Sequence, residues 1–176
     1  MTRAFTRLAY ITSVRAAQER NGSRSHSERV AERPPARDSL PDELQARVAR
    51  ANSVIIGTAS LAGWPQLQHR GGPRGFMKVL SPRARAFADY SGNRQYITVG
   101  NLMENDRILL LLIDYDARTR LKIWGRAAVV DDDPALLAAV LDPDYAAQVE
   151  RAIRIEIEAW DTNRSSHIPR LVEAAE

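Results

Sequence analysis

The sequence of 176 residues contains no cysteine, only two lysines and only three histidines. Without cysteine the chain has no disulfide, no thiolate metal site and no cysteine nucleophile. The histidines, His26, His69 and His167, are widely separated and give no sign of a histidine-rich metal centre. The longest apolar run, Ile108 to Ile113, is far shorter than the roughly 18 residues of a membrane-spanning helix. We therefore expect a cytoplasmic protein with no membrane partner and no bound metal.

Signature motifs of several enzyme classes are also absent. The sequence has no P-loop, no Rossmann glycine motif after a strand, no HExxH zinc motif and no GxSxG nucleophile elbow. A hydrolase built on His69 or His167 stays open, because the many serines and aspartates give no informative spacing. We interpret the acidic run 131–133 as a solvated turn that caps a helix, in preference to a cation site.

Positive charge is concentrated near the N-terminus. Residues 1–50 carry a net charge of +4 and residues 51–176 a net charge of −1, so the basic pI of about 9.6 reflects the first fifty residues. We predict a helical arm over residues 1–50, packed on its own domain or on a partner subunit, and one domain over residues 51–176. A basic arm that binds nucleic acid is an alternative, although the near-neutral domain argues against such a partner.

Hydrophobic periodicity predicts a mainly β fold. Helices are expected over residues 12–20, after a Ser39 cap, over residues 93–105, and from Asp133–Pro134 onward. Strands are expected over residues 53–60, 66–70, 76–80, 85–90, 107–116, 120–130 and 153–159. The apolar run in the fifth strand predicts burial on both faces, whereas the last strand alternates strictly through Ala159 and predicts one apolar face. The pattern indicates a six- to seven-stranded antiparallel barrel with helical covers.

Two segments that combine basic residues with glycine lie between these strands. Residues 68–78 contain three glycines, two arginines and a lysine, which either allow close backbone approach to an anion or form an exposed hairpin loop. Residues 89–96 lead from a strand into a predicted helix, and Arg94 would add its charge to the unpaired N–H groups there. A phosphate site and ordinary capping by Ser91 or Asn93 are both compatible with this pattern.

A third basic segment lies on the strand predicted over residues 120–130. Alternation places Arg120, Lys122 and Trp124 on the same face of that strand. Such a face suits an anionic ring system, and a solvated sheet face with a partly buried tryptophan is the alternative.

These motifs, in this order and spacing, resemble the pyridoxamine 5'-phosphate oxidase-like FMN-binding split-barrel family, in particular its short bacterial flavin-nucleotide-binding members. The matching stretches cover nearly the whole chain: VRAAQERNGSR (14–24), QHRGGPRGF (68–76), DYSGNRQY (89–96), GNLMEND (100–106), RLKIWGRA (120–127) and EAWDTNRSSHIPR (158–170). The resemblance implies an FMN-binding antiparallel split barrel that forms a homodimer, with two FMN molecules in grooves between the subunits.

The resemblance also implies which residues bind FMN. The phosphate would be held at Arg94 and Gln95, with Lys78 and the loop 70–75 nearby, and the end of the fourth strand would run along the flavin. Basic residues of the sixth strand would contact flavin across the dimer interface, and the C-terminal tail would close the groove. The complete implied set is Arg70, Gly71, Gly72, Gly75, Phe76, Lys78, Ala88, Asp89, Asn93, Arg94, Gln95, Arg120, Lys122, Trp160, His167 and Arg170.

The sequence departs from the family pattern at two places. Gln95 stands where a second basic residue is more common, and Thr162, Arg164 and Ser166 replace Trp, Cys and Gln in the tail. The substrate-binding tail of true pyridoxamine phosphate oxidases is not recognisable, which argues against vitamin B6 oxidation. Since flavin itself carries the redox chemistry, the pattern needs no acid–base pair, and catalytic residues stay unassigned. The implied function is an FMN-dependent oxidoreductase for an unidentified small molecule; a non-catalytic flavin or haem carrier or sensor is the alternative.

Overall fold

The computed structural model describes residues 4–32, 39–164 and 167–171. Its helices are α1 (Ala4–Ala9), α2 (Thr12–Arg20), α3 (Arg24–Glu32), α4 (Asp42–Arg50), α5 (Ile97–Glu104) and α6 (Pro134–Val140). Its strands are β1 (Ser53–Ala59), β2 (Pro65–Gly71), β3 (Lys78–Ser81), β4 (Ala84–Tyr90), β5 (Arg107–Asp114), β6 (Thr119–Val130) and β7 (Val149–Arg164). No helix in these ranges combines the length and the apolar character that crossing a membrane requires.

The helix starts follow local capping chemistry only in part. Helix α2 has the predicted bounds, and α6 begins as expected, because the Asp133 carboxylate accepts a hydrogen bond from the Leu136 N–H at 3.0 Å. Ser39 does not cap α4, which was the expectation. Pro41 occupies the N-cap position, and Asp42 begins the helix with its negative charge at the positive end of the helix dipole. Helices α1 and α3 were not predicted.

All seven strands form one antiparallel sheet in the order β2-β1-β5-β6-β7-β4-β3, which confirms the mainly β prediction. The inner face of this sheet holds the core. Leu110, Leu121, Ile123 and Ile153 are fully buried there, and α4 adds Val48, which is 0% exposed. The sheet thus curves around its main apolar core, with α4 and α5 packed against it.

The central strand β5 is buried on one face only. Ile108, Leu110 and Leu112 point into the core, whereas the alternate residues Leu109 and Leu111 are half-buried on the outer face. The prediction of burial on both faces was therefore wrong for the outer face of the single chain. An apolar stripe remains partly open to solvent along the middle of the sheet.

A β-bulge in β7 changes which residues face the core. The register with β6 shifts between Trp124 and Gly125, so that Glu158 is the extra residue. Ile157 points inward before the bulge, but Trp160 points inward after it, and Ala159 lies on the outer face. The prediction of strict alternation through Ala159 was therefore wrong at that residue.

The first helix packs on the outer face of β6 and β7. The ring of Phe5 stacks on Trp124 with centroids 6.2 Å apart and an interplanar angle of 25°. Ala159 is fully buried beneath this contact, and Tyr10 meets Phe5 edge-on at 5.7 Å. This small outer cluster ties α1 to the sheet of the same chain.

Candidate functional site

A cavity of about 250 Å³ opens between β2, β4 and the loop that precedes α5. Gln68 and Arg70 line it from β2, Asp89 from β4, and Arg94 from the loop. Strand β2 is one edge of the sheet, and β4 lies next to the other edge. The cavity therefore sits where the two ends of the curved sheet approach each other.

Helix α5 begins four residues later than the sequence predicted. It starts at Ile97, with Tyr96 as its N-cap, so Arg94 and Gln95 lie on a loop before the helix. Arg94 (φ 58°) and Tyr96 (φ 51°) both have left-handed backbone conformations, which are uncommon for residues other than glycine. The prediction that Asn93, Arg94 and Gln95 form the first helical turn was wrong, and Asn93 instead accepts a hydrogen bond from the Gln95 N–H at 3.2 Å.

A buried carboxylate lies in the wall of the cavity. Asp89 is 4% exposed, and its Oδ1 is 2.8 Å from Nη1 of Arg70. Its Oδ2 is 3.7 Å from Nε of Arg151, the residue directly opposite on β7. Burial raises the pKa of Asp89; the charges of Arg70 and Arg151 oppose that rise, and Glu150 adds to it. The Arg70–Asp89 ion pair also joins the two ends of the sheet.

The loop is fastened to β7 by a second set of contacts. The Arg151 guanidinium lies over the Tyr96 ring, 5.0 Å from its centroid, and its Nη2 is 2.5 Å from Glu150. The Tyr96 hydroxyl donates to the same Glu150 carboxylate at 3.3 Å. These contacts account for the strained loop backbone, because a tertiary anchor fixes Tyr96 at the end of the loop.

Arg70 retains unused hydrogen-bonding capacity within the cavity wall. Its Nη2 is 3.4 Å from Oε1 of Gln68, and that oxygen also accepts from the Thr98 hydroxyl at 2.5 Å. The Nε of Arg70 is buried and has no hydrogen-bond partner among the residues that the structure describes. A buried donor without a partner is costly, so a shift of the guanidinium that gave Nε an acceptor would be favourable.

The glycine loop after β2 uses its N–H groups within the chain. The Gly72 and Gly75 N–H groups donate to the carbonyls of Asn52 and Ala51, each at 3.1 Å, and Gly71 pairs with Ser53 in the sheet. A Cβ on Gly72 would lie only 2.8 Å from Cβ of Phe76, so close packing requires glycine there. Phe76 itself is buried in the core.

Other residues of the predicted set lie away from the cavity. Arg120 and Lys122 are half-buried on the outer face of β6, on the same side as Trp124, as alternation predicted. Lys78 is half-buried on the edge strand β3. Ala88 is buried against α6, opposite Ala152.

The predicted tail residues lie apart from one another. Trp160 is buried in the core, where its Nε1 donates to the Ser39 carbonyl at 3.0 Å. Arg170 donates to Oδ1 of Asp116 in the β5–β6 turn, with Nη2 at 2.8 Å, and His167 is exposed. Within one chain, therefore, the cavity brings together only part of the predicted set: Arg70, Asp89, Asn93, Arg94 and Gln95.

Sequence reasoning missed Arg151, Glu150 and Tyr96 as parts of this cluster. Arg151 and Glu150 precede the alternating pattern that identified β7, so they were not assigned to a strand. Their relation to Asp89 depends on the β4–β7 register, which the sequence does not specify.

A larger cavity of about 620 Å³ lies between α4 and the β5–β6 turn. Its two carboxylates are engaged: Asp116 pairs with Arg170, and Asp114 accepts from the Ala117 N–H at 2.8 Å. Burial lowers the pKa of Arg47, whose Nη2 donates to the Thr119 carbonyl at 2.9 Å. These contacts stabilise the turn, and Arg74 of the glycine loop also lines this cavity.

A family model described as pyridoxamine 5'-phosphate oxidase matches residues 40–169. The chain belongs to this family. Among solved structures, HupZ from Group A Streptococcus is similar, with a TM-score of 0.56 and 14% identity over 72% of this chain and 96% of HupZ. A candidate pyridoxamine 5'-phosphate oxidase from Lactobacillus delbrueckii has a TM-score of 0.53 and 22% identity, covering 71% and 95% of the two chains. An F420 reductase has a TM-score of 0.50 and 17% identity, covering 69% and 98%.

No protein of curated function matches the chain. At these identities the solved structures establish the fold, which is the split barrel expected from the sequence motifs. The family match covers β1 to β7 and α4 to α6, and it includes every residue that lines the cavity at the open side of the sheet.

Proposed function

We propose that this family member binds FMN as a homodimer and acts as a flavin-dependent oxidoreductase on a small molecule. The observation that carries the proposal is the convergence of Arg70 and Arg94 on one cavity at the open side of the barrel. Both residues belong to the motifs that resemble the phosphate-binding segments of FMN-binding split barrels.

The cavity suits the phosphate end of FMN. A phosphate monoester carries close to two negative charges at pH 7, and guanidinium groups bind such oxygens in a forked, charge-assisted geometry. Arg94 lies exposed on the loop, and Arg70 has a buried Nε without a partner in the described chain. Arg70 lines the same cavity and would supply the second cation that Gln95 does not, in exchange for its ion pair with Asp89. About 250 Å³ is less than the ~300 Å³ or more of a typical cofactor pocket, so the isoalloxazine ring would lie outside it.

The arrangement of the other basic residues supports a second subunit. Arg120 and Lys122 lie on the outer face of β6, separated from the cavity by the sheet. Beside them runs the half-buried apolar stripe that includes Leu109 and Leu111, and Leu67 on the edge strand is 72% exposed. Burying such a stripe is favourable, and a second copy of the chain would cover it.

The chemistry divides simply between cofactor and protein. When bound, FMN supplies hydride or electron transfer itself. Arg94 and Arg70 bind and orient the phosphate, and the Tyr96 anchor keeps the loop in place. Arg120 and Lys122 of the facing subunit would contact the ring and exclude water from it.

The proposal is tested by titrating the purified protein with FMN and by measuring its mass in solution. We expect a yellow dimer, and we expect Arg94→Ala to weaken FMN binding by about 1.5–3 kcal/mol, the magnitude of a charge-assisted hydrogen bond. Arg126→Ala is the matched control, because Arg126 is exposed, pairs with Asp106 and Glu158, and does not line the cavity.

Three results would contradict parts of this proposal. A colourless monomer that ignores FMN would remove it entirely, and wild-type affinity in Arg94→Ala would remove the site. Tight binding of haemin with a Soret band, without FMN binding, would favour a haem carrier. Reduction of bound flavin by a nicotinamide with turnover would separate an enzyme from a flavin carrier.

A further inference from the structure

Asp89 competes for the cations that a phosphate at this cavity would need. Its carboxylate is buried in the cavity wall, 2.8 Å from the guanidinium of Arg70. A carboxylate and a phosphate oxygen are alternative partners for the same planar fork of donors. An anion that enters the cavity therefore meets an arginine already paired with an internal negative charge.

We propose that Asp89 is a specificity-determining residue, which takes up a proton from solvent when a phosphomonoester dianion binds, so that the phosphate replaces its carboxylate as the partner of Arg70. No covalent bond forms or breaks, and the protonated Asp89 becomes a hydrogen-bond donor in the cavity wall. This inference rests on the proposed function, because it takes FMN phosphate as the ligand.

The charges around Asp89 make the proton balance explicit. The charged and titratable groups that face it from the neighbouring elements are Arg70 on β2, Arg94 and Tyr96 on the loop, Tyr90 on β4, and Glu150 and Arg151 on β7. Three of these groups are arginines. With both acids ionised, the cluster carries one net positive charge, which is insufficient for a dianion. Protonation of Asp89 leaves two net positive charges, which match a dianion.

The buried position of Asp89 makes this protonation less costly than it is for an exposed carboxylate. Burial raises the pKa of Asp89 even with two arginines nearby, and a dianion in the same cavity would raise it further. The tyrosines do not compete for this role. Burial also raises the pKa of Tyr90, and the Tyr96 hydroxyl donates to Glu150.

The proposal predicts that the affinities of two proteins for FMN depend differently on pH. The test compares wild type with Asp89→Asn. The Kd for FMN is measured from about pH 5.5 to about pH 8.5. Calorimetry in buffers of different ionisation heat gives the number of protons taken up on binding. At the upper pH, Asp89→Asn should bind FMN about ten-fold more tightly or better, because wild type loses a factor of ten in affinity for each pH unit above the pKa of Asp89 and asparagine does not titrate. The two affinities should converge as the pH falls. The ionisation of the phosphate near pH 6 is common to both proteins and cancels in the ratio.

Two controls keep the outcome specific. Asp131→Asn removes the same charge from an exposed turn and should behave as wild type. Riboflavin, which lacks the phosphate, should bind wild type without proton uptake. The riboflavin control uses the wild-type protein. It therefore remains valid even if Asp89→Asn destabilises the contact between β2 and β4.

Specific results would overturn the inference while leaving FMN binding intact. These are a ratio of affinities that does not change with pH, weaker binding by Asp89→Asn at every pH, equal proton uptake in both proteins, or equal uptake with riboflavin. An Asp131→Asn profile that copies Asp89→Asn would also overturn it. Failure of wild type to bind FMN at any pH contradicts the proposed function itself and is thus a distinct result.

Discussion

Gly125 is the glycine of the sheet that leaves the least room for an added Cβ. It lies at the bulge between β6 and β7, where an added Cβ would overlap the Glu156 carbonyl oxygen and lie 3.0 Å from Cγ2 of Ile155. The first of these contacts is with backbone, so it cannot be relieved by rotating a side chain. Relief requires β6 and β7 to separate or the bulge to shift.

Gly125→Ala should therefore destabilise the fold strongly. Overpacking in a tight interior costs about 1–3 kcal/mol, and a backbone clash falls at the upper end, near 3 kcal/mol. For a chain of this size, 1 kcal/mol corresponds to roughly 2–4 °C in Tm, so the melting temperature should fall by roughly 6–12 °C. Because the bulge sets which residues of β7 point inward, the fluorescence of Trp160 should change in the folded variant as well.

Thermal unfolding of wild type, Gly125→Ala and Gly100→Ala measures this effect. Gly100 lies on the exposed side of α5, and its added Cβ would have no heavy atom within 4 Å. Alanine is the better helix former, so Gly100→Ala should stabilise by up to about 1 kcal/mol. A Gly125→Ala protein that melts with wild type would refute the argument that a close approach at the bulge fixes the β7 register.

Two further substitutions probe the helices. Phe5→Ala should release α1 from the sheet, because it removes the ring that stacks on Trp124. Faster hydrogen exchange in residues 4–9 and altered Trp124 fluorescence would report the release. Unchanged exchange would contradict the packing of α1 on the sheet. Asp133→Ala should lower the free energy of unfolding by about 1 kcal/mol, because it removes the capping acceptor for the Leu136 N–H. Urea unfolding measures this loss. A midpoint equal to that of wild type would show that the cap contributes nothing to stability.

The sequence predicted the strands because their signals are local. Apolar periodicity and β-branched residues identified β1, β5 and β6 to within two residues, and Asp133–Pro134 identified the start of α6. The start of α5 was missed for a tertiary reason. Asn93-Arg94-Gln95 has an ordinary helix-start composition, but the contact between Tyr96 and β7 holds the loop in a left-handed conformation.

The residues of the candidate site could be predicted from motifs along the chain, but the contacts between residues on different strands could not. Arg70, Asp89 and Arg94 belong to motifs that can be recognised in order along the sequence. The pairing of Asp89 with Arg151 follows from the β4–β7 register, and that of Asp89 with Arg70 follows from the curvature of the sheet. Such distant contacts leave no periodic signal, since neither register nor closure is a property of one segment.

Strand β4 carries two ionisable residues on its inward face, and their partners differ in kind. Arg85 is fully buried, and its Nη1 donates to the carbonyls of Ser81 and Ala84 at the β3–β4 turn. Burial lowers the pKa of Arg85, and its guanidinium serves the local backbone. Asp89, four residues along, serves no turn and no cap. Its partners are arginines from two other strands, beside an open cavity. For the stability of the fold alone, an apolar residue at this position would serve as well as a buried ion pair or better. Arg85 thus serves the β3–β4 turn with one nitrogen, while its Nε and Nη2 are buried without a partner among the described residues. Asp89 instead links β4 to β2 and β7 beside an open cavity, which is the arrangement that the proposed exchange of its ion pair for a bound phosphate requires.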